Sequence, residues 1–375
     1  TAREVFGSEY AIGTSSGTGA LHAAFVAAGV GPGTEVICPA IGFIATAMAV
    51  VQANGVPVFC DVDSSLGIDP TKIEDLITER TVAIAPTHVM GSVCDIDSVM
   101  EIAGKHNLTV IEDCAQSSGG KFKGRFIGTI GDMGAFSISA YKTVGGGEGG
   151  LFLTDKKEYW ERASQLVEGG GLWRPDRFAE PRYPSELFCG TNYRLSELEA
   201  AVDVVQLGRT EEMAMRFRSV KNRILENLDT FKGITPQKLN DPDGEVGYLL
   251  RFFPENIGLS VKIAESLTER GMEAETKGEN PGPDWHNYST MFPVINKTGH
   301  TEVNCPFECP VYRERGGDIQ YRGDECPVAD DLFGRVVSVK LNQWYTDEDC
   351  QLVADVVNDV LAACCTPDSG GIGWI

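Results

Sequence analysis

Three short segments carry residue types that could do chemistry. The first, Ser15-Ser16-Gly17-Thr18-Gly19, leads into a helix-period segment at 20–28. Small residues before a helix let backbone N–H groups approach an anion, and the helix dipole favours negative charge there. The same residues also serve as an ordinary helix cap. The pattern is neither G-x-G-x-x-G nor G-K-[ST], so it is not a dinucleotide or P-loop fingerprint. In the second segment, 109–116, the apolar run Thr109-Val110-Ile111 ends on Glu112-Asp113. That places Asp113 at a strand's carboxyl end, where ligands dock in parallel sheets, although such an Asp can also cap a turn. The third segment, Phe136-Ser137-Ile138-Ser139-Ala140-Tyr141-Lys142, precedes Thr143–Gly150, in which five of eight residues are Gly. A Lys in a dry, Gly-walled site can lose its proton and condense with a carbonyl. Alone, a Lys beside Gly is a common solvated loop.

Together, an anion loop, a strand-end Asp and a strand-end Lys are the parts that a pyridoxal phosphate site needs. The Lys holds the cofactor covalently, the Asp keeps the pyridine nitrogen protonated, and the loop anchors the phosphate. The combination is far more specific than any one part.

Such residues need a sheet to present them. Short β-branched runs at 35–39, 56–62, 82–88, 109–113, 135–139 and 150–154 read as strands. Helix-period segments at 19–28, 44–54, 71–78 and 96–106 lie between several of them. Near-continuous apolar strands separated by helices predict an α/β fold with a mostly parallel sheet covered on both faces. A helix is expected over 196–212, continuing to about 228. The irregular stretch 231–243 reads as the entry to a second domain. Two domains are therefore expected: a large one at 1–230 and a smaller α+β one at 231–375. The smaller one has strands near 246–253 and 336–341, helices near 260–270 and 347–362, and a loop-rich stretch at 276–327. The last ten residues read as frayed.

The chain has 375 residues, with 32 basic and 54 acidic residues giving a net charge of −22. This argues against nucleic acid, which needs a basic footprint. No apolar run reaches membrane-helix length, and the first residues do not form a signal peptide, so a cytoplasmic enzyme is expected. The eleven cysteines are dispersed, and Cys38, Cys60 and Cys114 sit in apolar runs as small hydrophobes. Cys305, Cys309 and Cys326 lack an obvious fourth ligand, so no metal is expected. The acid excess should lie outside a cofactor pocket that is itself neutral or positive.

The sequence resembles the DegT/StrS-type sugar aminotransferase family of fold-type I pyridoxal phosphate enzymes. The likeness rests on Ser16-Gly17-Thr18, Glu112-Asp113-Cys114-Ala115-Gln116, Gly128-Thr129-Ile130-Gly131-Asp132, Phe136-Ser137, Lys142, Gly147-Glu148-Gly149-Gly150 and Asn192-Tyr193-Arg194. It implies that Lys142 binds the pyridoxal 5'-phosphate covalently and that Asp113 pairs with the pyridine nitrogen. It also implies that Gln116 lies near the ring hydroxyl, that Phe43 stacks on the ring, and that Gly17, Thr18 and Ser137 hold the phosphate. Asn192 matches a residue that reaches the phosphate from the neighbouring subunit, which implies a homodimer with shared sites. As rival readings, Phe43 could be core, Ser137 could merely face inward, and Asn192 could be a turn residue.

The resemblance further implies ping-pong transfer of an amino group from glutamate or glutamine to a sugar carbonyl. Family dehydratases carry His in place of the Lys, and Lys142 argues against that branch. The stretches around Asp241–Gly244, Trp285-His286 and Lys340–Asp347 are similar to the 8-amino-octulosonate branch, which serves lipopolysaccharide synthesis. The alternatives are a cyclitol (scyllo-inosose type) acceptor, another fold-type I chemistry such as lysis or desulfuration, and a non-catalytic regulator. His88, His286 and Tyr288 are substrate-binding candidates, each also readable as structural. Relatives have some tens of residues before the phosphate loop, so part of the acceptor site is expected to lie outside this sequence.

Overall fold

The computed structural model describes residues 1–278, Gly282 and 284–374. Its first half contains β1 (Tyr10–Thr14), β2 (Glu35–Pro39), β3 (Val56–Cys60), β4 (Thr81–Ile84) and β5 (Thr109–Asp113). These are followed by a small hairpin, β6 (Lys121–Phe122) and β7 (Arg125–Phe126), then β8 (Met133–Ser137) and β9 (Gly150–Thr154). Seven of these strands form one sheet in the order β1-β9-β8-β5-β4-β2-β3. Only β9 runs against the rest, pairing antiparallel with both β1 and β8. The other neighbours pair in parallel. Every residue of β2, β3 and β9 is buried, which explains their unbroken apolar runs: helices cover both faces.

The helix Gly17–Ala27 lies against β8 and β9. It buries Ala20, Ala23, Ala24 and Ala27, whose small side chains let its backbone come close to the sheet. Helix Ile96–His106 is capped by Asp95 and ends on Asn107 in the left-handed conformation, residue types suited to those two positions.

The second sheet contains β10 (Ile234–Pro236), β11 (Leu249–Pro254), β12 (Ala274–Thr276) and β13 (Val337–Lys340). Its order is β10-β11-β13-β12, antiparallel throughout. Helices Ile257–Glu269 and Asp347–Cys364 complete this smaller unit.

The fold differs from the sequence expectations in several places. The helix expected over 196–212 is two, Glu197–Leu207 and Thr210–Leu225, separated at Gly208-Arg209. The division at 230/231 does not follow the packing. Val220, Ile224 and Leu225 join the small-sheet core, whereas Tyr288, Phe307, Tyr312 and Phe333 pack into the core beside the large sheet. The loop-rich stretch therefore returns to the large domain instead of remaining with the small one. Finally, the stretch expected to be frayed is anchored at Trp374. Trp374 is buried, its Nε1 donates to Asp229 O at 2.9 Å, and its ring meets Phe252 edge-on.

Candidate active site

The parallel direction of β1, β2, β4, β5 and β8 brings their carboxyl ends to one edge of the sheet. The loops leaving those ends carry Ser16–Thr18, Phe43, Thr87-His88, Asp113, and Ser137 with Lys142. The three segments singled out by residue type thus converge through topology, although more than 120 positions separate the first from the last.

Asp113 ends β5 and is buried. Its Oδ2 accepts the Thr46 hydroxyl at 2.6 Å, and its Oδ1 accepts the Ala115 N–H at 3.0 Å. Two donors hold the carboxylate in one orientation at the floor of the site. Lys142 follows β8 in a tight turn, its N–H donating to Ser139 O at 3.0 Å. Burial lowers the Lys142 ammonium below its ordinary range, while the charge of Asp113 partly opposes the shift. A lysine so placed is more readily deprotonated and nucleophilic than one in water.

Ser16 caps the helix Gly17–Ala27 by accepting the Gly19 N–H at 3.1 Å. The other first-turn amides remain free of intrahelical partners. Gly17 packs so closely on β8 that a Cβ there would lie 2.8 Å from Ser137 Cβ. Only Gly lets the helix end and the Ser137 hydroxyl close on the same small space. This cradle of amide dipoles and a hydroxyl suits a phosphate.

Phe43 is 40% exposed, which sets it apart from the core aromatics. Its ring lies 5.3 Å from that of His286. The two are held together by the strand-like pairing of Gly42 N and Ile44 N with the carbonyls of His286 and Trp285. Gln116 is fixed from two sides: its Oε1 accepts Met90 N–H and its carbonyl accepts the Tyr248 hydroxyl. Beside Lys142 lies a cleft of about 320 Å³. The large domain contributes Met90, Ala115, Gln116, Tyr141 and Thr143, and His286, Tyr248 and Lys340 close the other side. Among the described residues no carboxylate lines it, in keeping with a pocket more positive than the chain as a whole.

Two substrate candidates lie elsewhere. His88 is fully buried; Cys94 N–H donates to its Nδ1, so Nε2 carries the proton toward Glu112 Oε2 at 3.0 Å. Tyr288 is also fully buried, its hydroxyl accepting Cys326 N–H and donating to Asp330. Both are structural, as their burial beside apolar strands requires. His286 does line the cleft, with Nδ1 held by Asp284 Oδ1 at 2.8 Å. Asn192 is exposed, and its Oδ1 only accepts the Arg194 N–H.

Glu112 was passed over in the sequence. Fully buried, it accepts not only His88 but also the amides of Gly128, Ile130 and Gly131 at 2.6–2.8 Å. Burial alone would raise its pKa, but His88 and these amides outweigh it and hold the carboxyl below its ordinary range. Cys114 is near enough to complete a ligand-like trio with His88 and Glu112. Burial raises its thiol well above the usual value, however, and the Glu112 oxygens are already engaged. The hydrogen bonds make this trio a structural knot that ties β5 to the loop before β8. Thr46 and Tyr248 were also missed, since their contacts to Asp113 and Gln116 join segments far apart in the chain.

Comparison with known proteins gives a consistent picture. Residues 1–281 match the DegT/DnrJ/EryC1/StrS aminotransferase family. The chain is similar to an L-glutamine:2-deoxy-scyllo-inosose aminotransferase of Micromonospora echinospora, 39% identical over 90% of this chain and 79% of that one. It is also 39% identical to a GDP-perosamine synthase of Caulobacter vibrioides, over 57% of this chain and 56% of that protein's length. Among solved structures, an aminotransferase from Psychrobacter cryohalolentis superposes with a TM-score of 0.76 at 27% identity, covering 96% of this chain and 89% of that one.

Proposed function

The chain belongs to the DegT/DnrJ/EryC1/StrS aminotransferase family, and from that premise we propose that it is a pyridoxal phosphate-dependent aminotransferase acting on a sugar or cyclitol carbonyl. One observation carries the reading: a half-buried lysine of lowered pKa stands within the field of a buried, doubly hydrogen-bonded Asp113, beside a helix-end cradle closed by Gly17 and Ser137. These residues fit the cofactor's three recognisable parts, its aldehyde, ring nitrogen and phosphate.

When bound, the cofactor supplies an electron sink for breaking a bond at the amino-bearing carbon. The chain does the rest. The Gly17 and Thr18 amides with the Ser137 hydroxyl would hold the phosphate. Asp113, kept in register by Thr46 and Ala115, would hold a proton at the ring nitrogen. Phe43 would cover one ring face, and Gln116 would stand at the hydroxyl edge. Lys142 would anchor the cofactor through Nζ and, once freed by the amino donor, would serve as the general base for the proton transfer. Lys142 also argues for transfer over the dehydration performed by relatives with His in its place.

Glutamine or glutamate is the proposed donor, supported by the glutamine-dependent relative named above. A keto- or aldo-sugar or a cyclitol is the proposed acceptor. The same site is proposed to be shared across a homodimer. Asn192 is exposed and engaged only within its own turn, and Leu198, Val202 and Val205 project from helix Glu197–Leu207 into solvent. Such a face is suited to cover by a second copy.

The experiment is a half-reaction. Loaded enzyme is mixed with L-glutamine or L-glutamate, and the visible band of the lysine-linked cofactor should give way to that of the amine form. A panel of keto sugars and inososes should then restore it. A band unchanged by every donor defeats the proposal.

A further inference from the structure

The geometry points to Lys340 as the residue through which the small domain recognises an anionic group, a carboxylate or a phosphate, on a substrate entering the cleft. The inference rests on the aminotransferase reading of that cleft and adds to it the chemical class of the substrate's distal group.

The cleft is electrostatically unlike the chain around it. The chain as a whole has 54 acidic residues against 32 basic. Among the described residues, the cleft lining has Lys142, His286 and Lys340 and no carboxylate. Lys142 is committed to the cofactor. His286 is tied by Nδ1 to Asp284 and packs on Phe43. Among the described lining residues, Lys340 is the cation left without a part in the chemistry.

Its placement suits a recognition role. Lys340 ends β13 opposite Leu249, and its N–H donates to Glu273 O at 2.9 Å. The backbone is thereby fixed on the small-domain side of the cleft, facing the Lys142 side, while four side-chain carbons give the ammonium reach. At rest, Nζ pairs with Glu273 Oε2 at 3.1 Å, with both side chains largely exposed. A solvated pair of this kind contributes little. A substrate anion in the less solvated cleft, where charge-assisted bonds are stronger, can therefore displace Glu273. Glu273 lines a neighbouring hollow with Lys340 and Glu275 and not the cleft, so Nζ has to swing from that side into the cleft to meet a substrate anion. The anion could belong to the amino donor or to an acidic acceptor.

The test uses the loaded enzyme and its Lys340→Gln, Lys340→Glu and Lys340→Arg variants. Half-reactions are followed with L-glutamate on the donor side. On the acceptor side they are followed with a neutral keto sugar and the same keto sugar bearing a carboxylate. Equilibrium binding of 2-oxoglutarate to the amine form is measured by calorimetry. K340Q should raise the half-saturating concentration of the recognised anion about tenfold, the loss of one charge-assisted contact. The limiting rate should be unchanged, K340E should do worse, and K340R should recover much of the loss. An effect on glutamate alone assigns the donor carboxylate; an effect on the acidic keto sugar alone assigns the acceptor. Either supports the inference. Unchanged half-saturation and 2-oxoglutarate affinity in K340Q overturn it and leave the aminotransferase reading standing. A wild-type enzyme inert with every donor instead defeats that reading, and Lys340 is then judged by 2-oxoglutarate binding alone.

Discussion

The Thr46 hydroxyl donates to Asp113 Oδ2 across 2.6 Å, tying the helix that follows β2 to the carboxyl end of β5. This bond would set the angle at which the Asp113 carboxylate meets the ring nitrogen of a bound cofactor. Hydrogen bonds to charged groups contribute about 1.5–3 kcal/mol. Thr46→Val should therefore weaken pyridoxal phosphate binding about tenfold or more, measured by cofactor titration, whereas Thr46→Ser should remain near wild type. Equal affinity in T46V and wild type would show that Asp113 is oriented by other means.

Glu112 predicts a different outcome, in stability. Four donors converge on a fully buried carboxylate, and an amide in its place turns an N–H toward some of them. Glu112→Gln should lower unfolding free energy by about 3 kcal/mol at pH 7, the scale for breaking a buried charged network. Because the folded-state pKa is depressed, this stabilisation is present above the ordinary Glu range and is lost as pH falls through and below about 4.5. Denaturant titrations at several pH values should show the two proteins converging in acid. A constant gap contradicts the account.

Asp203 runs the opposite way. Its two buried oxygens have no hydrogen-bond partner among the described residues, and Oδ1 occupies the space where any Gly146 side chain would begin. Burial, with help from Glu199, pushes its pKa up to about 6. Ionisation then opposes folding, so stability falls as pH rises from the ordinary Asp range to about 6. Asp203→Asn should gain on the order of 1 kcal/mol above pH 7, discounted for solvent screening, with no gain near pH 4. A pH-independent difference in melting temperature would argue against this.

The reactive residues were legible because strand ends and glycine runs mark them locally. Asp113 closes an apolar strand, and Lys142 precedes a stretch whose glycines allow the backbone to fold back to β9. Their partners were not legible. Thr46 and Glu112 act through contacts that only the sheet order creates, and nothing in their own neighbourhoods distinguishes them from a helical Thr or a strand Glu. His88 and Tyr288 show the converse: polar tips on apolar runs can find buried partners as readily as a ligand. The short strands β10 and β12 carry three residues each, too few for a period-2 signal. The return of Tyr288–Phe333 to the large domain rests on long-range burial that no local pattern announces.

The central claim is that Lys142 Nζ holds the cofactor, and borohydride reduction of the loaded enzyme followed by peptide mass mapping tests it most directly. The account predicts a pyridoxyl phosphate mass on the peptide containing Lys142 and on no other. The same mass on a different lysine, or on none, would contradict it.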